Sequence, residues 1–255
     1  MTLWTQTGGK GRDLVLVHGW GMNASVWLPL ARELEKDFRV TLIELPGHGK
    51  SSWNDCTGLE SWAEQVLELA PPAAVWLGWS LGGVVMQQAA AMQPQKLRGL
   101  VGLATSPCFV QRDGWPCGIA PEVLESFAQE LTADTRKTLR RFLALQVQGV
   151  ADAKNLLLQL RREFDSRPAP RPAALQAGLT ILLHSDLRIP LADLDLPLSW
   201  ILGERDTLVP VSLAGYLPAF QPEMRLLVIE GAAHAPFLSH PSRCIGVLRE
   251  FVRHV

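Results

Sequence analysis

The sequence predicts an α/β fold with a mostly parallel central sheet, helices on both faces of the sheet and an inserted helical cap. Short apolar runs typical of strands alternate with helix-like segments as far as residue 106. The alternation stops over residues 107–186 and resumes from residue 187. We therefore predict a core built from residues 1–106 and 187–255, and a helical cap built from residues 107–186.

The composition narrows the class of protein. The chain has 255 residues, 47% of them hydrophobic, and its 24 Lys and Arg nearly balance its 25 Asp and Glu. This balance gives no argument for nucleic acid or a membrane surface as a partner. The N-terminal segment MTLWTQTGGK lacks the basic and apolar regions of a secretion signal, and no apolar run reaches membrane length. We expect a monomeric, cytoplasmic protein.

The cysteines give no sign of a disulfide framework or a metal site. Cys56, Cys108, Cys117 and Cys244 are scattered and form no Cys-x-x-Cys pair. Free thiols are the expected state of such cysteines in the cytoplasm. Since no other cluster of metal ligands is present in the sequence, we expect neither a metal nor another cofactor.

The first predicted strand, residues 13–18, ends at the loop His18-Gly19-Trp20-Gly21. Backbone N–H groups at such a loop can stabilise the charge that develops on a carbonyl oxygen. In hydrolases with a nucleophile elbow one such donor comes from a loop of this kind, here the N–H of Trp20. A plain turn is the alternative. A helix over 26–34, a strand over 38–45 and a helix over 59–69 are predicted next.

The fold is organised around the motif Gly78-Trp79-Ser80-Leu81-Gly82. The apolar run 74–77 before it predicts a buried strand, and residues 84–92 after it predict a helix. In this setting the motif is typical of a nucleophile elbow, a tight turn that exposes the Ser80 hydroxyl above the sheet and offers the Leu81 N–H as a second donor. A glycine-rich turn with an inactive serine is the alternative.

After a strand over 97–104, the predicted cap contains an amphipathic helix over residues 136–148. Between Thr132 and Arg162 there are seven Lys and Arg against two acidic residues. An acidic partner would fit this excess, and a solvated helix face is the simpler alternative.

Two strands, 198–203 and 225–230, and a helix over 241–254 are predicted after the cap. A serine hydroxyl needs a base, and imidazole has a suitable pKa. Among the six histidines, His234 lies in the loop after the last predicted strand. Asp206, in the loop after the preceding strand, completes the chain order Ser, Asp, His. Glu204 is the competing carboxylate.

These motifs resemble the α/β-hydrolase superfamily and, within it, the pimeloyl-[acyl-carrier protein] methyl ester esterases of biotin synthesis. The resemblance runs nearly end to end and is carried by residues 18–27, 78–83, 106–109, 141–146 and 231–237. Trp20, Trp79 and the cap run 142–146 are its narrower marks. One departure is Glu44, where relatives commonly have Asp; that carboxylate is usually structural.

The resemblance implies an α/β-hydrolase fold and a serine carboxylesterase that removes the methyl group from a pimeloyl chain on acyl-carrier protein. It implies Ser80, Asp206 and His234 as catalytic residues and the Trp20 and Leu81 N–H groups as the oxyanion hole. The substrate would contact Trp20, Leu81, Ser80 and His234. It would also contact the cap residues Phe142, Leu143, Ala144, Leu145 and Gln146. Because acyl-carrier proteins are acidic, it also favours a docking role for Lys137, Arg140, Arg141 and Lys154.

Other functions remain open from the sequence. A promiscuous short-chain esterase or lipase, an acyltransferase that uses the same acyl-enzyme, and a slow sensor that keeps the three catalytic residues would all show the same motifs. A dehalogenase is disfavoured, because the elbow carries Ser where that chemistry needs a carboxylate nucleophile.

Overall fold

A computed structural model describes residues 2–255, and within them one seven-stranded sheet forms the centre of the molecule. Its strands are β1 (Thr5–Gly8), β2 (Asp13–Val17), β3 (Arg39–Ile43), β4 (Ala74–Trp79), β5 (Leu97–Leu103), β6 (Leu198–Gly203) and β7 (Arg225–Ile229). They lie in the order β1-β3-β2-β4-β5-β6-β7. Every neighbouring pair is parallel except β1 and β3. The predicted fold class is confirmed.

The helices are α1 (Leu28–Leu34), α2 (Leu59–Leu69), α3 (Leu81–Met92), α4 (Pro121–Ala133), α5 (Thr135–Leu145), α6 (Ala153–Asp165), α7 (Pro172–His184), α8 (Arg188–Ala192), α9 (Leu217–Phe220), α10 (Pro236–Ser239) and α11 (Pro241–His254). Proline opens α4, α7, α10 and α11, where its missing N–H has no intrahelical partner to lose. No helix of the described chain is both long enough and apolar enough to cross a bilayer.

Alternate residues of the central strands fill the two apolar layers of the core. Leu14 and Leu16 of β2 face one layer, with α1 and α11, whereas Val15 and Val17 face the other, with α2 and α3. A strand that is buried on both faces must be apolar throughout, and all six residues of β4 are buried. This double burial produces the continuous apolar runs seen in the sequence.

Four helices, α4 to α7, lie within residues 107–186, after β5 and before α8. In the described chain the only β-pairings within residues 107–186 are isolated bridges, Val110 with Ile119 and Arg112 with Trp115. The helix α5 begins at Thr135, because the Asp134 side chain caps it by accepting the Lys137 N–H at 2.9 Å. We propose that these helices form a cap over the carboxyl ends of the strands.

Candidate active site

The turn between β4 and α3 holds Ser80 in a strained conformation. Its φ of 54° and ψ of −121° lie where residues with a side chain are rarely found. Two hydrogen bonds keep the backbone there. The Ser80 N–H donates to the Leu103 carbonyl at 3.0 Å, and the Thr105 hydroxyl donates to the Ser80 carbonyl at 2.8 Å. The turn therefore has the geometry of a nucleophile elbow.

Close packing requires the two glycines of this motif. A Cβ on Gly78 would lie 2.5 Å from the Cα of Gly83, and a Cβ on Gly82 would lie 2.5 Å from the carbonyl oxygens of Val17 and His18. Backbone atoms cannot move aside as a flexible side chain can. Only glycine therefore lets β2, β4 and α3 approach this closely.

Ser80, His234 and Asp206 meet in one buried row. The Ser80 Oγ lies 2.9 Å from Nε2 of His234, and Nδ1 of the same ring lies 2.8 Å from Oδ2 of Asp206. The exposed fractions of the serine, histidine and aspartate are 3%, 1% and 6%. An imidazole placed between a hydroxyl and a carboxylate can take the hydroxyl proton while the carboxylate stabilises the imidazolium.

The two candidate carboxylates have different partners. The Asp206 Oδ1 accepts the N–H groups of Leu208 at 2.8 Å and Val209 at 2.9 Å, which leaves Oδ2 for the histidine. Glu204 instead accepts the Gly231 N–H at 2.9 Å and is exposed. Its contact supports the loop after β7 and does not reach the imidazole ring.

Trp79 connects the elbow to the loop that carries His234. Its indole N–H donates to the His234 carbonyl at 2.7 Å, and its ring packs edge-on against Phe237 with centroids 5.0 Å apart. Sequence reasoning treated Trp79 only as a mark of resemblance. Its position within the motif was the one sequence signal for this contact.

The backbone N–H groups of Trp20 and Leu81 have no acceptor within residues 2–255. The Leu81 N–H opens α3, where the helix dipole favours negative charge. The loop of Trp20 runs directly beside the elbow, because a Cβ on Gly19 would lie only 3.1 Å from the Ser80 Cβ. Both N–H groups are therefore free to donate to an oxyanion next to the serine.

A family model described as the alpha/beta hydrolase family matches residues 14–247. The chain belongs to this family. The hydrolase is 47% identical over 251 residues, 98% of each chain, to the pimeloyl-[acyl-carrier protein] methyl ester esterase of Serratia marcescens. It is 46% identical over 241 residues, 94% of this chain and 93% of the relative, to the protein of that name from Klebsiella pneumoniae. It therefore also belongs with this group of esterases.

The fold agrees with that of a more distant solved structure. An esterase from Exiguobacterium antarcticum superposes on the hydrolase with a TM-score of 0.89, over 98% of this chain and 95% of the other. At 20% sequence identity this likeness shows the fold alone.

Two buried histidines stabilise the loop of residues 18–21, called the oxyanion loop below. His18 Nε2 accepts the Leu45 N–H at 3.1 Å, and His48 Nε2 accepts the Gly21 N–H at 3.3 Å. Nδ1 of His48 lies 3.0 Å from the Pro46 carbonyl oxygen, to which it can donate. A nitrogen that accepts an N–H carries no proton, so both rings bind as neutral imidazoles. Sequence reasoning missed His48 because Gly21 lies 27 residues away.

This histidine pair makes the stability of the hydrolase sensitive to acid. Burial, the main cause, lowers the pKa of His18 to about 3 and that of His48 to about 4, from 6.5. Each of these two imidazoles therefore takes up a proton at a higher pH in the unfolded chain than in the folded chain. Their contribution to stability is complete above pH 6.5 and is lost as the pH falls toward 4.

We expect His48→Gln to lower the dependence of Tm on pH between about pH 6.5 and about pH 4. Glutamine can accept the Gly21 N–H but does not titrate. Differential scanning fluorimetry across this range measures the slope. The matched control, His254→Gln, changes an exposed histidine and should keep the wild-type slope. A His48→Gln slope equal to that of wild type would contradict the argument.

The predicted cap residues of the substrate pocket differ in burial. Phe142 packs edge-on against Trp20 with ring centroids 4.7 Å apart. Gln146 is fully buried, and both polar atoms of its side chain lack a hydrogen-bond partner in the described chain. The remaining three are buried Leu143, half-buried Leu145 and exposed Ala144. The exposure of Ala144 gives no support for a contact with a ligand in the buried site.

The four predicted carrier-docking residues have different surroundings. Arg141 pairs with Glu130, and its guanidinium lies over the Phe127 ring at 5.0 Å. Arg140 lines a cavity between α5 and the C-terminal end of α6. The other two, Lys137 and Lys154, are exposed.

No group of three or more His, Cys, Asp or Glu within residues 2–255 could hold a metal ion. The four cysteines are free thiols, and burial raises the pKa of Cys117 to about 11 and that of Cys244 to about 12.

Proposed function

We propose that this hydrolase cleaves the methyl ester of a pimeloyl chain carried on acyl-carrier protein, by a Ser-His-Asp acyl-enzyme mechanism. The single observation that carries the mechanism is the unbroken row of contacts from the Ser80 hydroxyl through His234 to Asp206. The group of esterases to which the chain belongs supports the choice of substrate.

The reaction follows from the contacts in two steps. As the Ser80 Oγ attacks the ester carbonyl carbon, His234 takes its proton, and the carbonyl oxygen becomes an oxyanion that accepts the Trp20 and Leu81 N–H groups. Collapse of this intermediate breaks the bond to the methoxy oxygen, which leaves as methanol with the proton from His234. A water molecule, deprotonated by the same imidazole, then attacks the acyl-enzyme and releases the carboxylic acid and Ser80.

The surroundings of Ser80 suit an uncharged, largely aliphatic acyl chain. Trp20 belongs to the oxyanion loop, the Phe142 ring packs against it at a centroid distance of 4.7 Å, and both side chains are buried. The methyl ester is neutral, whereas the carboxylate product would have to lose its hydration to remain in such a place. The buried apolar wall therefore favours binding of the ester over its product.

A comparison of carrier-bound and free methyl esters tests the proposed substrate. We expect the hydrolase to have a kcat/KM at least tenfold higher for methyl-pimeloyl acyl-carrier protein than for methyl butyrate, with methanol released from both. Similar values for the two esters would favour a promiscuous short-chain esterase. Monomeric state and cytoplasmic location stay predictions.

We also propose that Lys137 and Lys154 attract the acidic carrier. Both side chains are exposed, and neither forms an ion pair in the described chain. We expect the double variant Lys137→Glu/Lys154→Glu to raise KM for the carrier-bound ester by about tenfold and to leave the kinetics on a free methyl ester unchanged.

The matched control for this double variant is Lys10→Glu, which reverses the charge of an exposed lysine before β2. It should leave both KM values unchanged. Equal losses on carrier-bound and free esters in the double variant would show that the two lysines support the structure of the cap and do not dock the carrier.

A further inference from the structure

A cavity of about 650 Å³ opens between α5, the C-terminal end of α6 and the chain that follows α6. Leu139, Leu143 and Phe164 give it an apolar side, and Arg136, Arg140 and Arg161 give it a basic side. Neither Ser80 nor His234 lines it. The cavity is therefore separate from the catalytic row described above.

The charge in this cavity is not neutralised by the protein. Asp165 is its one acidic lining residue against the three arginines. None of these arginines forms an ion pair anywhere in residues 2–255. A solvated helix face would not require arginines from two helices to converge, yet Arg161 of α6 joins the two from α5. Converging guanidinium groups without carboxylate partners suit a phosphate, which they bind with paired N–H donors.

The apolar side of the cavity lies next to the oxyanion loop. A Cβ on Gly21 would lie 2.9 Å from Cδ2 of Leu139. Gly21 directly follows Trp20, whose ring contacts Phe142 of the same helix. Leu139 therefore lines the cavity and also contacts the loop that carries Trp20, which places the cavity beside this loop.

We propose that this cavity binds the phosphopantetheine arm of the carrier, with its phosphate held by Arg136, Arg140 and Arg161. The uncharged part of the arm lies along Leu139 and Leu143 and delivers the acyl chain to the buried serine. This inference rests on the proposed function, because it assigns the arm of the proposed substrate to a second site. It concerns recognition of the arm itself and is independent of contacts made by the surface of the carrier protein.

Thioesters of the arm without carrier protein test the proposal directly. The two substrates are the methyl-pimeloyl thioesters of pantetheine and of 4′-phosphopantetheine, which differ only in the phosphate. We expect wild type to have a KM about tenfold lower for the phosphorylated thioester. The double variant Arg136→Gln/Arg161→Gln should bring the ratio of the two KM values close to one.

The control is Arg162→Gln, which removes a neighbouring exposed charge of α6 that does not line the cavity. It should keep the wild-type preference for the phosphorylated thioester. Free 4′-phosphopantetheine should compete with that substrate more strongly than inorganic phosphate does, because the proposed site also binds the neutral part of the arm.

Three results would overturn the proposal: equal KM values in wild type, an undiminished preference in the double variant, or inhibition by inorganic phosphate as strong as by phosphopantetheine. Failure of the proposed function looks different, since neither thioester would then release methanol. Methanol release from both thioesters with equal KM would contradict the phosphate site and would leave the proposed function unaffected.

Discussion

Replacement of Ser80 by alanine is expected to lower methanol release from methyl-pimeloyl acyl-carrier protein by about 10⁴-fold or more. Alanine keeps the Cβ, so the Ser80→Ala variant should retain the elbow and lose only the nucleophilic oxygen. Without that oxygen no acyl-enzyme forms, and His234 has no hydroxyl to deprotonate. Release of methanol by purified wild type and variant, assayed at equal concentration, measures the loss.

A matched serine variant shows whether the loss is specific. Ser239→Ala removes a hydroxyl from α10, just after the loop that carries His234, where the hydroxyl lies 2.9 Å from Nδ1 of His240 and 3.5 Å from the Ala235 carbonyl oxygen. We expect it to keep wild-type activity. Ser80→Ala activity within tenfold of wild type, with both variants folded by circular dichroism, would contradict a nucleophilic role for this serine.

The core of the fold was predictable because burial on both faces of a parallel sheet leaves a strong pattern in the sequence. The α2 helix has the predicted bounds, since its apolar residues repeat along one face. The strand β1 could not be recognised in the same way. Its sequence TQTG is polar and mostly exposed, and its pairing with β3 at the sheet edge depends on backbone hydrogen bonds that no side-chain pattern records.

The catalytic row was predictable for a different reason. Chain order and the loops after successive strands restrict which residues can meet at one edge of a parallel sheet. The residues that hold the row in place carried no such signal. The contacts of Thr105 with the Ser80 carbonyl and of His48 with Gly21 join segments far apart in sequence, so they depend on the finished packing.

The basic residues of α5 show where the sequence could have been interpreted further. Adjacent residues of a helix point about 100° apart, whereas residues at i and i+4 lie on the same face. Arg136 and Arg140 therefore share the cavity, while Arg141 lies apart from it against Glu130. Counting these charges as one group did not separate the two faces of α5 on which they lie.

Replacement of Asp206 by asparagine is expected to lower kcat strongly. In Asp206→Asn the side-chain oxygen can still accept the N–H groups of Leu208 and Val209, which directs the new amide toward the His234 ring. That amide donates to Nδ1, so the ring proton moves to Nε2 and faces the Ser80 hydroxyl. A ring in this tautomer cannot take the serine proton, and we expect kcat to fall by about 10⁴-fold.

Glu204→Gln is the matched control, because it makes the same chemical change in the exposed carboxylate two residues earlier. Its amide oxygen can still accept the Gly231 N–H, so we expect a loss of kcat below about threefold. Initial rates of both variants on one free methyl ester, where carrier docking plays no part, compare them directly. A larger loss in Glu204→Gln than in Asp206→Asn would transfer the orienting role to Glu204, and would require the loop after β6 to adopt another conformation during catalysis.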